Sequence, residues 1–362
     1  MDVNKQSQQA GEGSQLVQAG TIVINQGVSE ERVRTVFNEM VPRALEEYTK
    51  EAYAKANERI TNWENSVLPR VNEVEGMLEA FADPAFQRVL RKAQQSAAVT
   101  DEKADYDLLT ELLVCHVQNG TNRKNRASIL EATEVVDQID NDALCALTVV
   151  HAISSLIPTA GRCSEGLDAL EKIFEKLVYC RLPIGNDWLD HLDGLRLIRM
   201  NTWGSMRKFS DYYASQLNGY ICVGIEKNTS EYHKALEILN DARIAPEILI
   251  DNELLENYVR LAIHGKSQID YKRTIHRENL IAWPQEQLEA MWKVWELYSS
   301  DETKLETVKE NFIKLWDRHP VLHTVRGWWE HIPGTLDITR TGKIIAHTNV
   351  KRCDPTIPDL EL

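Results

Sequence analysis

With 362 residues, 43% of them hydrophobic and 27% charged, the chain has the composition of an ordinary globular protein and enough length for one large or two medium cores. Its net charge of −14 argues against nucleic acid or an anionic membrane as a general partner, although it leaves room for a local basic patch. No apolar run reaches the length of a bilayer and the polar start MDVNKQSQQAGEGSQ is no signal peptide, which predicts a cytoplasmic protein.

Residues 1–28 comprise a Gln-, Ser- and Gly-rich tail, expected to be flexible, and the β-branched run TIVIN at Thr21, Ile22, Val23, Ile24 and Asn25. A lone strand cannot satisfy its own backbone ladder. TIVIN is therefore expected to add to a sheet elsewhere in the fold or to pair with copies of itself in neighbouring chains, with Ser29 capping the helix that follows.

From 29 to 82, apolar or small residues recur at three- and four-residue steps through Val33, Phe37, Met40, Ala44, Tyr48, Ala52, Ala56, Ile60, Trp63, Val67, Val71, Val74, Leu78 and Phe81, which is one face of an α-helix. As a single long helix this stretch measures ~80 Å, more than a domain of this size is wide, so part of it is expected to project. Pro42 and Pro69 each remove a backbone donor and predict a kink or a break. Between them the stripe thins to Tyr48, Ala52 and Ala56, a face small enough to let another helix approach closely. That face and TIVIN form the candidate surface for a homo-oligomer.

Residues 83–183 read as a helical bundle. Asp83 and Pro84 are a cap followed by a first-turn proline. DYDLLTELLVCHV, NRKNRASILEATEVVDQI and GLDALEKIFEKLVYC follow at helical spacing, and ALCALTVVHAISSLI, nearly all apolar, predicts the buried central helix with His151 as a core histidine. The short turns between them imply antiparallel neighbours.

Residues 184–362 continue less regularly. ICVGI at 221–225 predicts a second strand or a buried turn, Pro284 opens a helix, and TKLETVKENFIKLWDRH is amphipathic. Trp283, Trp292, Trp295, Trp316, Trp328 and Trp329 gather here, and their helical spacing assigns them to the core ahead of a base-stacking surface. Cys115, Cys145, Cys163, Cys180, Cys222 and Cys353 form no close pair and read as reduced, mostly buried thiols. The fold class expected is all-α: a multi-helix bundle with a long N-terminal helix and one or two short strands.

The succession DPAFQRVLRKAQQSA, DLLTELLV, ILEATEVVDQI and LCALTVVHAISSLIP resembles an uncharacterised family of bacterial helical proteins. Its members also begin with a Gln/Gly-rich tail, a short strand and a long helix, and finish with a Thr-x-x-Gly-x-x-Ile-Ala segment, matched at Thr339, Gly342, Ile345 and Ala346. They tend to lie near mobile elements and antiviral loci, so the resemblance implies a role in phage defence with a protein partner encoded nearby. It supplies no catalytic residues, and this chain departs from it in a longer turn around Gly161 and Arg162.

The sharpest enzymatic pattern is RHPVLH. An Arg followed five positions on by a His is the signature of the all-helical HEPN ribonucleases, where Arg stabilises the pentavalent phosphate and His acts on the 2′-hydroxyl. Arg318, His319 and His323 are its candidate residues, and Arg326 with His331 repeats the spacing. Pro320 inside the motif sets Arg318 and His323 across a helix start instead of along one face. His319, His323 and His331 have no acidic third ligand placed by spacing, and there is no phosphate-cradling loop or nucleophile elbow, so neither metal nor cofactor is expected. The expectation is a non-enzymatic, self-assembling scaffold, sensor or regulatory subunit, with the helical ribonuclease as the alternative.

Overall fold

The computed structural model describes residues 30–45, 48–201, 203–270 and 283–360. The N-terminal stretch folds as α1 (Glu30–Ala44), α2 (Lys50–Glu73) and the short α3 (Met77–Ala80), so the expected continuous span is divided. The first break falls just after Pro42, where Thr49 takes over as cap and its hydroxyl accepts from the Ala52 N–H. The Phe37 ring lies 5.8 Å from Trp63, and Arg34 pairs with Glu64 at 3.9 Å, so α1 turns back along α2 instead of projecting. The physical reason is the size of the residues on the stripe. Phe37 and Trp63 are fully buried against Phe81 and Phe86, and a solitary extended helix would leave those rings in water. TIVIN and Ser29 lie outside the described residues.

The bundle continues with α4 (Pro84–Val99), α5 (Lys103–Asn119), α6 (Arg123–Val135), α7 (Asn141–Ser155) and α8 (Cys163–Leu177). Side-chain caps start most of them: Asp83 for α4, Asn122 for α6 and Asp140 for α7. The chain then forms α9 (Asp187–Gly194), β1 (Ile198–Asn201) and α10 (Phe209–Gln216). After a separate lobe, α13 (Glu302–Trp316), α14 (Pro320–Trp329), β5 (Thr335–Ile338) and α15 (Arg340–Cys353) return to the same core as α4–α8. α7 is buried along nearly its whole length, as its composition predicts, and α15 lies against it.

The Thr-x-x-Gly-x-x-Ile-Ala segment seats α15. The Thr339 hydroxyl donates to the carbonyls of Arg196 (2.8 Å) and Leu197 (3.0 Å), and the same oxygen accepts from Gly342 N–H as helix cap. Gly342 lets the Leu197 carbonyl press against the helix, where a Cβ would stand 1.9 Å from that oxygen. Ile345 and Ala346 are fully buried. β1 and β5 pair antiparallel beside this joint, Ile198 opposite Ile338.

The separate lobe runs through β2 (Ile225–Glu226), α11 (Ser230–Asp241), β3 (Leu249–Asp251), β4 (Tyr258–Leu261) and α12 (Gln285–Trp295), and has its own small core of Ala235, Leu239, Leu261, Met291 and Val294. Its sheet is antiparallel in the order β2-β4-β3. ICVGI thus contributes both expected features, a buried bend and then a strand beginning at Ile225. The molecule is mostly α, with five short strands among the described residues, and no described helix is long and apolar enough to cross a membrane.

Candidate functional site

Ala56 of the thin α2 face is buried among Val41, Ala44, Leu45, Ile60 and Ala98, so the close approach that its small side chain permits is made by this chain's own α1 and α4. Tyr48 remains 40% exposed and Ala52 half-buried at the corner between α1 and α2. The described chain begins at the opposite end of α1, about 22 Å from that corner at the standard helical rise. TIVIN (Thr21, Ile22, Val23, Ile24) precedes that far end in sequence and is outside the described residues.

The Arg and His candidates surround the junction of α13 and α14. Arg318 is exposed on the turn after α13, and His323 lies in the first turn of α14, with Pro320 opening that helix. The guanidinium beside His323 belongs to Arg326. Arg326 clasps Asp317 through two 2.8 Å bonds and also reaches Glu330 at 3.1 Å. The same Asp317 oxygen lies 3.1 Å from His323 Nδ1, which leaves Nε2 pointing away as a base or acid. Burial pushes the Asp317 carboxyl up, but bonds from Arg326 and His323 outweigh it and hold the group below its usual range. His319 Nε2 lies 3.4 Å from an Asp168 oxygen without hydrogen-bond geometry, and His331 donates from Nδ1 to the Gly327 carbonyl. The three histidines therefore face three separate neighbours, and no group of three metal-ligating side chains occurs among the described residues.

Two helix starts that lack a local side-chain cap are closed from a distance. Glu171 of α8 accepts from the N–H groups of Val321 (3.1 Å) and Leu322 (3.0 Å) at the start of α14. Glu253 of the lobe accepts from the N–H groups of Cys163 (2.6 Å) and Ser164 (3.3 Å) at the start of α8. Behind Glu253 lies Arg260, fully buried, donating to it at 3.4 Å and to the carbonyls of Gly161 (3.0 Å) and Ile263 (3.3 Å). The long turn at Gly161 and Arg162 is thus the place where the lobe is stitched to the bundle.

His151 is a core histidine, as expected, but not an isolated one. His347 Nε2 faces the Pro358 carbonyl at 2.9 Å and must donate there, so its Nδ1 accepts from His151 Nε2–H at 3.2 Å. Burial, then His347 and Lys343, push the His151 ring down to about 3, and burial also lowers His347. Next to this pair a cavity of about 10 Å³, lined by Cys115, Gln118, Thr348 and Lys351, has room for about one water. The tail closes it through Asp359, bonded to Gln118 and Lys351.

The helical spacing of the tryptophans predicts core positions, which holds for three of the six. Trp316, Trp328 and Trp329 are core, while Trp292 and Trp295 are half-buried and Trp283 is exposed on the lobe. The outward-facing one it missed is Trp203, 98% exposed, which lies outside the tryptophan-rich third. The available signal was the run of residues 196–208, which contains four cations and no carboxylate. No curated protein and no solved structure matches the chain. A family model carrying only the description ":-like" matches residues 27–361, and the chain belongs to that family.

Proposed function

We propose that the chain is a non-enzymatic regulatory or sensor subunit that self-assembles through its N-terminal end in the cytoplasm of a bacterium, in an antiviral setting. The observation that supports this reading is the use made of its half-buried carboxylates. Glu171 and Glu253 close helix ends and Asp317 holds Arg326, so these charges fix the positions of α8, α14 and the lobe. A framework held this way suits a body that carries binding surfaces. The β-branched TIVIN run, which needs ladder partners, supplies the assembling element, with Tyr48 at the exposed α1–α2 corner as a second contact.

Light scattering on the full chain and on a variant lacking residues 1–28 tests the proposal. The full chain is expected to be an oligomer and the shortened one to fall to a smaller species; an unchanged mass contradicts it. The ribonuclease alternative draws on one observation, the Asp317–His323 contact that leaves Nε2 outward. Its cation is Arg326, already held by two carboxylates, in place of Arg318.

A further inference from the structure

In a chain of net charge −14, residues 196–208 hold Arg196, Arg199, Arg207 and Lys208 and no acidic residue. All four cations are exposed. Of the nearby acids, Asp211 pairs with Lys309 at 2.9 Å and also feels Lys208 and Arg207, and Asp193 accepts from the Met200 N–H. Asp337 stands opposite Arg199 across the β1–β5 ribbon without an ion pair. Among them stands Trp203, 98% exposed.

The loop that carries this indole is pinned. Trp203 N–H donates to the Asn201 side chain (3.1 Å), and Gly204 N–H donates to the Asn201 carbonyl (3.3 Å). Gly204 lies flat on β5, where a Cβ would meet the Thr335 hydroxyl at 2.7 Å. Behind the loop, Trp329 Nε1 donates to the Arg207 carbonyl at 3.0 Å and ties its far end to the core. A flat apolar face is therefore held in water, in a stretch of exposed cations that make no ion pair among the described residues. The complementary ligand offers a flat ring on an anionic backbone, with the ring free to leave its own stack. A duplex does not meet that last condition, and an acidic peptide lacks a regular supply of rings.

We propose that Arg196, Arg199, Trp203, Arg207 and Lys208 form a binding surface for single-stranded nucleic acid, with a base stacked on Trp203 and the flanking phosphates on the cations. This names what the sensor of the preceding reading senses, and rests on that reading only for its purpose. Self-assembly can fail in light scattering while binding here persists, and the reverse.

The test is fluorescence anisotropy of a labelled oligothymidylate with the full chain, as a function of salt. The wild-type chain is expected to bind at low salt, and Trp203→Ala to weaken binding about ten-fold or more, the usual effect of removing one stacking platform. Arg207→Gln and Lys208→Gln are each expected to reduce the slope of log affinity against log salt by about 0.7. Quenching of tryptophan emission on binding, lost in Trp203→Ala, reports the stack itself. All three residues are exposed, and circular dichroism checks that each variant is folded. No binding at low salt, equal affinity in Trp203→Ala, or equally strong competition by polyglutamate overturns the proposal.

Discussion

Gly342→Ala probes the joint on which the centre of the molecule is assembled. The added carbon would stand 1.9 Å from the Leu197 oxygen and 2.8 Å from its carbonyl carbon, far inside ordinary contact. Neither side can yield by rotating a side chain, because both are backbone. The Leu197 oxygen is moreover held by the Thr339 N–H (2.9 Å) and hydroxyl (3.0 Å). Moving β1 off α15 loses these two bonds, at about 1 kcal/mol each, and strains the packing around buried Leu197 and Ile198 by about 1–3 kcal/mol. Alanine regains about 1 kcal/mol of helix propensity, which leaves a net loss of roughly 2–4 kcal/mol. At about 2.1 cal/mol/K per residue the unfolding entropy is about 0.8 kcal/mol/K, so calorimetry should show a Tm lower by roughly 3–5 °C. Gly327→Ala is the control, because nothing lies within 4 Å of its added carbon inside α14. It should raise Tm by about 1 °C. A Gly342→Ala protein as stable as the wild type refutes this account of the joint.

Four other perturbations address the interior. The Tyr213 hydroxyl is buried and has no partner among the described residues, so Tyr213→Phe should leave stability unchanged or raise it by up to about 1 kcal/mol. Tyr220→Phe, which removes a donor to the Ala160 carbonyl, should lower it by about 1–2 kcal/mol, and denaturant midpoints distinguish the two. His151 and His347 titrate lower in the folded chain than the ordinary 6.5, so the unfolded chain takes up protons first as pH falls. Their contribution is present above pH 6.5 and is lost progressively towards about 3; a stability profile flat across that window would contradict the buried pair. Arg260→Met unpins the lobe from Gly161 and leaves Glu253 without its cation, at about 3–5 kcal/mol. Hydrogen exchange should then speed up in β3 and β4 while α7 stays protected.

Much of the helical framework was legible because its signals are local. Asp83–Pro84 capped a helix as written, and the apolar run at 143–157 became the buried α7, while Pro42 and Pro69 each lie inside a helix, two and four residues before α1 and α2 end. The direction of the chain after a break was not legible. Whether α1 projects or folds back depends on Phe81 and Phe86, which lie more than forty positions beyond Phe37 in sequence. Ala56 shows the same limit: its size signalled close helix approach, but not that the approaching helices belong to the same chain. The distant caps by Glu171 and Glu253 have no local signature, since a carboxylate mid-helix or in a loop looks solvated until the fold brings it to another helix start. RHPVLH placed an Arg and a His close in sequence, yet geometry gave His323 a different guanidinium, that of Arg326.

The account holds that this chain acts by binding and assembly, and the most direct measurement is its effect in cells. Growth on overexpression and plaque formation should be compared for the wild type, the chain without residues 1–28, and His323→Ala. The account predicts that any effect disappears when the first 28 residues are removed and survives in His323→Ala. Toxicity abolished by His323→Ala and untouched by the deletion would contradict it.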